Sequence, residues 1–301
     1  MRKLALILLF LSSLLAFAQT TGPAKEPASI PSPAPADCSA DPKELVRLTA
    51  EHDILNDQRV RNYTYIEREE TRHLKGDGSV NSTESETHEV LVLYGDPVSR
   101  MIAKNDQLLS EKDAKKEEEK IQKLMEKHQH ESDEDRQKRL QKYDKEREEQ
   151  RKFVREVTEV FTFTVLPEEQ LEGRSACVFS IEPKPEYEPK EKEAKMLKKV
   201  HGRLWIDKQE QQWAKIDVQM IDTISFGLFL ARLNKGSHLL IEQTRVNDEV
   251  WLPKHVSGTV EARLLLLKKL NLGFESTYKD YRKFRTVARM TSTGEEAPEK
   301  Q

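Results

Sequence analysis

The sequence predicts a mainly β protein of the α+β class: a curved antiparallel sheet or half-open β-barrel with covering helices and a charged helical insertion. Three observations predict it. About ten stretches alternate apolar with polar residues and are separated by turn residues. One amphipathic helix precedes them. Residues 111–155 interrupt them with Lys, Arg, Glu and Asp of mixed sign.

The chain opens with Arg2 and Lys3, then an apolar stretch over 4–15, then Ala16-Phe17-Ala18. This is the pattern of a cleaved signal peptide over 1–18. The stretch is shorter than the ~20 residues that span a bilayer. A lipid anchor would need a Cys directly after it. The first Cys is Cys38, in a Pro-rich context, so no anchor is expected. Residues 19–41 read as a disordered linker rich in Pro, Ala and Ser. Only Cys38 and Cys177 follow. An oxidising compartment permits a disulfide between them, but sequence alone leaves a buried Cys177 and a free Cys38 equally open.

The β domain, with its helices, is expected over 42–290. Asp41 and Pro42 form an N-cap and first helical position, with Glu44 placed for a capping box. The apolar residues Leu45, Val46, Leu48, Ile54 and Leu55 then give a helix over 42–56. Strand character begins near Val60, where Tyr63, Tyr65 and Glu67 alternate with Asn62, Thr64 and Ile66. Asp77-Gly78 marks a hairpin with positive φ at both residues. Return strands follow over 86–94 and 99–104. Gly95-Asp96-Pro97 turns the chain between them, and Asn105-Asp106 closes the second.

Pairs such as Glu119 with Lys123 make 111–155 helical, and Ser132-Asp133 breaks it into two helices. Its apolar stripe is too thin for a coiled coil. It is either a solvated excursion or an arm that docks an envelope partner. Strands resume at Val157 and continue over 174–182, 202–207, 214–220, 238–246, 249–252, 256–267 and 274–284. A short helix is expected around 194–198, and Asn247-Asp248 makes a turn. The helix over 42–56 and the apolar run 224–233 are candidates to cover the sheet's apolar face. Residues 291–301 read as a disordered tail.

Composition excludes two classes of function. The chain has 301 residues, with 50 Lys and Arg against 53 Asp and Glu, a formal charge of -3. A nucleic-acid binder should carry a basic excess, so no such partner is expected. A hydrophobic fraction of 36% excludes a polytopic membrane protein and leaves peripheral or no membrane contact. No metal-binding, nucleophile-elbow or phosphate-loop motif is present. His128 and His130 are two apart on a helix and diverge. No cofactor and no enzymatic activity are expected. What remains is apolar surface: Trp205, Trp213, Phe226, Phe229 and Trp251 are candidates for a wall that holds an acyl chain, at ~25 cal/mol per Å² buried. On residue identity alone the same residues read first as a dry core, since most large apolar residues are simply buried. Trp213 shares a strand face with Lys215 and Asp217, which places it at a rim.

The series Gly202-Arg203-Leu204-Trp205-Ile206-Asp207, Trp213-Ala214-Lys215-Ile216-Asp217 and Asn247-Asp248-Glu249-Val250-Trp251-Leu252-Pro253-Lys254 resembles the LolA/LolB/RseB-like superfamily of outer-membrane lipoprotein-sorting proteins. The Tyr63-Thr64-Tyr65 strand and its Asp77-Gly78 hairpin are similar too. The resemblance covers 60–104 and 161–284. It implies a half-open antiparallel barrel with helices over its mouth, a periplasmic location, and binding of a lipid or lipoprotein acyl chain. The arm at 111–155 and the Pro-rich leader depart from the pattern.

Overall fold

The computed structural model describes residues 35–284 except 94–95, 191–192, 227–230 and 265–267. The expected signal peptide, most of the leader, the tail 291–301, Phe229 and part of the Gly95 turn lie outside the described residues.

In chain order the elements are helix α1 (Pro42–Val60), strands β1 (Tyr63–Leu74), β2 (Val80–Leu93), β3 (Asp96–Lys104) and β4 (Gln107–Leu108), helices α2 (Glu111–Gln129) and α3 (Asp133–Val160), and strands β5 (Phe161–Leu171) and β6 (Arg174–Pro183). A 3-10 helix (Glu193–Lys199) leads into β7 (Val200–Asp207), β8 (Trp213–Met220), β9 (Ile224–Phe226), β10 (Ala231–Leu233), β11 (His238–Val246), β12 (Val250–Leu264) and β13 (Lys268–Lys283). All pairings among the described residues are antiparallel. The order across the sheet is β4-β3-β2-β1-β13-β12-β11-β8-β7-β6-β5, and β9 and β10 hang from β12. The ends of this order, β4 and β5, are not paired with each other, so the sheet stays open. This is the half-open sheet with helical cover that the LolA/LolB/RseB resemblance implies.

Alternation along the strands sorts the side chains onto two faces. Cys177, Phe179 and Ile181 of β6, Leu204 and Ile206 of β7, Ile241 of β11, Val256 and Val260 of β12 and Leu272 and Phe274 of β13 share the main core with Leu45 and Val46 of α1, Val160 of α3 and Leu197 of the 3-10 helix. Those helices cover this face, which is the concave one. The opposite face carries a ladder of charge across the strands. Arg72 meets Glu275 at 2.6 Å, His255 lies 3.3 Å from both Glu275 and Glu242, and Lys215 lies 3.3 Å from Glu242.

Curvature has local causes. Strand register slips at Thr64/Ile66, Thr87/His88, Leu166/Glu169, Trp205/Ile206 and Glu242/Gln243, and such bulges increase twist. Two glycines let neighbouring strands close in. A Cβ on Gly202 would stand 2.0 Å from the Asp217 carbonyl oxygen, and one on Gly258 would stand 2.3 Å from the His238 carbonyl oxygen and 2.7 Å from the Phe274 ring.

The helical elements depart from expectation in instructive ways. Asp41 caps α1 by accepting from the Glu44 N–H at 3.0 Å, but the Glu44 carboxylate turns to Arg47 instead of returning to the cap. The helix runs to Val60, beyond the expected 56. α3 continues to Val160 where strand was expected from Val157: Phe153, Val157 and Val160 recur at helical spacing and pack on the main core, which outweighs the β-branched composition. Residues 224–233 do not form a separate cover; their described parts are the short strands β9 and β10, extending the sheet from β12. In the first hairpin Gly78 alone takes positive φ, +84°, while Asp77 bonds the Ser79 N–H instead. Asn105 and Asp106 both take positive φ, as a two-residue turn requires.

The 111–155 arm is more than a solvated excursion. It leaves one sheet edge at β4 and re-enters at the other edge strand, β5. α2 is fixed to β3, where Glu117 accepts from the Met101 N–H at 3.1 Å and Glu118 faces Arg100. Ser132 re-caps the chain at the start of α3. The C-terminal turns of α3 are fixed to α1 and the 3-10 region through Lys43–Glu159 at 2.8 Å and Tyr187–Glu156 at 3.1 Å. The arm is therefore a strap from edge to edge.

Cys38 and Cys177 form a disulfide with Cα atoms 5.4 Å apart. The end of the expected linker is thus docked, with Ala36 and Cys38 buried in the main core. Gly258→Ala is expected to lower stability by ~1–3 kcal/mol, because backbone and an aromatic ring occupy the new methyl's place; chemical denaturation measures it. Replacing both cysteines by Ser is expected to cost ~2–5 kcal/mol by the same assay, since the bridge closes a long loop.

Candidate functional site

The three candidate tryptophans share a chemistry that the sequence did not reveal: each gives its indole N–H to a carboxylate. Trp205 donates to Glu169 at 2.8 Å, Trp213 to Asp53 at 2.8 Å and Trp251 to Glu210 at 2.9 Å. A buried N–H needs such a partner. The structure does not bring the three onto one wall. Trp205 lies on the convex face, buried with Ala176 and Val178 against Leu166 and Leu171, with Arg203 and Lys215 over its ring. Trp213 lies on the concave side, half-buried against the main core. Trp251 is buried, with its ring under the Arg174 guanidinium and its backbone bonded to Asn56 of α1. Phe226 ends β9, and its side chain is outside the described residues.

Trp213 and Trp251 belong to a seam that holds α1 on the sheet. Asp53 of α1 accepts from both Trp213 and, at 2.9 Å, the Gln212 side chain. Asn56 of α1 exchanges two hydrogen bonds with the Trp251 backbone, at 2.7 and 2.8 Å. His52 reaches the Gln211 carbonyl at 3.2 Å. Behind the seam, Arg174 grips Asp207 through two bonds of 2.7 and 2.8 Å, and Glu210 joins Arg174, Arg245 and Trp251. The turn between β7 and β8 is thereby fixed, and its far end presents Gln212 and Trp213 to the helix.

Asp53 is the titrating member. Burial pushes its carboxyl up to about 6, the bonds from Trp213 and Gln212 oppose this, and nearby Asp57 adds to it.

A second patch lies on the concave side of β1, β2 and β13. Tyr65, Glu67 and Glu69 of β1 alternate onto one face, opposite His88 and Glu86 of β2 and Tyr278 and Ser276 of β13. The Tyr65 ring stands 6.0 Å from Tyr278 and 5.5 Å from Tyr281. Glu67 and Tyr278 stand directly opposite each other in the β1–β13 ladder. Desolvation by the surrounding strands holds the half-buried Glu67 carboxyl, and the more exposed Glu69 carboxyl, above their ordinary range, and Glu67 raises Glu69 further. Burial likewise raises all three tyrosine hydroxyls. Sequence reasoning placed Tyr65 and Glu67 on one strand face but gave no reason to select them among 53 acidic residues.

Among the described residues no cluster of His, Cys, Asp or Glu is arranged to hold a metal ion, and no helix is long and apolar enough to cross a membrane.

No family model and no curated protein matches the chain. Among solved structures it is similar to an outer membrane lipoprotein-sorting protein domain from Vibrio parahaemolyticus, at 13% identity over 81% of this chain and 95% of that one, with a TM-score of 0.34. It is also similar to a DUF1329 family protein from Desulfovibrio piger (10%, 83% and 96%, TM-score 0.31) and to a LolA superfamily protein from Nitrosomonas europaea (9%, 82% and 94%, TM-score 0.26).

Asp53 gives a pH test with a definite sign. Its folded pKa lies above the ordinary carboxylate value, so the folded state holds the proton more tightly. Its contribution to stability therefore falls as pH rises from about 4 to about 6. Asp53→Asn keeps an acceptor for both donors and removes the charge. Thermal melts across this range are expected to lose that slope, with stability at neutral pH equal to or above the parent's. Asp53→Ala strands both donors and is expected to cost ~1–3 kcal/mol.

Proposed function

We propose that the chain is an exported, non-enzymatic binding protein of the cell envelope, periplasmic in location, which holds an acyl group of a lipid or lipoprotein on the concave apolar face of its open sheet. The observation that carries this reading is how that face is covered. The sheet does not close on itself, and α1 lies over its apolar side, held along one seam by the polar contacts of His52, Asp53 and Asn56. A cover fixed by a few hydrogen bonds over apolar surface can part from it more cheaply than a closed barrel can open. The acyl chain would enter between α1 and the strands, where Trp213 stands half-buried at the edge of the main core. Phe226 and Phe229 remain proposed parts of the wall. Trp205 stands outside it, and Trp251 acts as an anchor for the cover. Affinity would come from apolar area removed from water, ~25 cal/mol per Å².

A second reading gives the strap a partner-binding role. It is favoured by α2, which buries Ile121 and exposes most of its remaining surface.

Native mass spectrometry of the mature protein, purified gently from cell envelopes, tests the first reading. The expected result is a bound mass of a phospholipid or acylated peptide that is lost on delipidation and regained on adding lipid. A clean apo mass with no lipid uptake would remove the acyl reading and turn attention to the strap.

A further inference from the structure

The concave sides of β1, β2 and β13 hold the part of the sheet that the helices leave without main cover, since their principal contacts are with β3, β5 and β12. On this part of the floor two carboxylates stand apart from the others of the same strands, which are matched. Glu70 pairs with Arg68 and Arg72, Glu86 with Lys104, and Glu89 with Arg100. Glu67 and Glu69 have no Lys or Arg within ion-pair distance among the described residues. His88, the basic group facing Glu69, bonds Ser99 at 3.0 Å and lies 3.6 Å from Glu86. Two like charges at alternate positions of one strand repel each other, and a bound cation would relieve that repulsion.

What surrounds the pair defines the missing partner. Tyr65, Tyr278 and Tyr281 form two tilted ring contacts beside the carboxylates. Carboxylates flanked by aromatic rings recognise cations, by charge and by the ring quadrupole. Spacing then selects the kind of cation. Alternate residues of a strand stand ~7 Å apart on one face, and an extended peptide repeats its side chains at the same interval. A single amine, such as a lipid headgroup carries, would satisfy one carboxylate and leave the other.

We propose that this floor is a docking site for an extended basic peptide segment, with Lys or Arg at alternate positions seated on Glu67 and Glu69 beside Tyr65, Tyr278 and Tyr281. The site is independent of the acyl reading: it lies on β1, β2 and β13, whereas the proposed acyl entrance lies under α1.

The test uses the full mature protein and a labelled peptide of alternating Lys and Ser, followed by fluorescence anisotropy. The expected result is binding that weakens with added salt and falls at least about tenfold in the double variant Glu67→Gln, Glu69→Gln, the loss expected for charge-assisted bonds. Gln keeps the side-chain size and removes the two like charges, so the variant should melt at or above the parent temperature. The charge-reversed variant Glu67→Lys, Glu69→Lys should instead bind a peptide of alternating Glu and Ser. Absence of peptide binding by the parent, or equal binding by parent and Gln variant, would overturn the proposal. So would a preference for phosphatidylethanolamine vesicles over peptide, lost in the same variant, since the cation source would then be lipid. Lipid uptake by native mass spectrometry, run on the same preparations, reads the acyl function separately.

Discussion

An open antiparallel sheet has one apolar face and nothing in the sheet itself to put against it, and the rest of this structure depends on meeting that need. Bulges and the close approaches at Gly202 and Gly258 curve the sheet, so that its apolar face becomes concave and a single helix with short flanking pieces can fill much of it. The helix must then be kept in place. That duty falls on the β7–β8 turn, pinned from behind by Arg174, Asp207 and Glu210, and on the two tryptophans that meet Asp53 and Asn56. The disulfide holds the segment just before the helix to β6. Curvature, cover and clamp form one chain of dependence.

On the proposed reading, cover and binding are coupled. The side chains that make α1 a good lid are the ones a ligand would have to displace. The polar groups at the seam are few, and one of them carries a carboxyl displaced by burial. The strap adds a second restraint at the other side of the opening, since it ties β3 and β4 to β5 and α1. On the proposed reading, access would be controlled through the helices, with the sheet as a fixed floor.

Much of the fold was legible because strand alternation is a local signal. Phe161, Phe163 and Val165, or Ala214, Ile216 and Val218, announce their strands without help from elsewhere. Where the reading failed, a distant contact outweighed a local preference. Val157 and Val160 look like strand residues and are helical because the main core takes them at helical spacing. The tryptophans were found as large apolar residues, but their roles depend on partners far away in sequence: Asp53 for Trp213, Glu169 for Trp205 and Glu210 for Trp251. Glu67 and Glu69 were hidden in a chain dense with carboxylates. Only the register of three strands shows that these two lack the cations their neighbours have.

The connectivity also makes the chain a natural split protein. β1 to β4 meet the remainder of the sheet through a single ladder, β1 against β13, and the covalent link from β4 onward runs through the strap. A cut near Ser132 would therefore yield two interleaved fragments. The first would bring α1 and the β1–β4 wing, the second the strands from β5 onward, and the Cys38–Cys177 bridge would keep the two in one covalent body. In an oxidising compartment a nicked molecule stays whole, whereas under reducing conditions the same nick leaves its halves joined only by side-chain packing and backbone pairing.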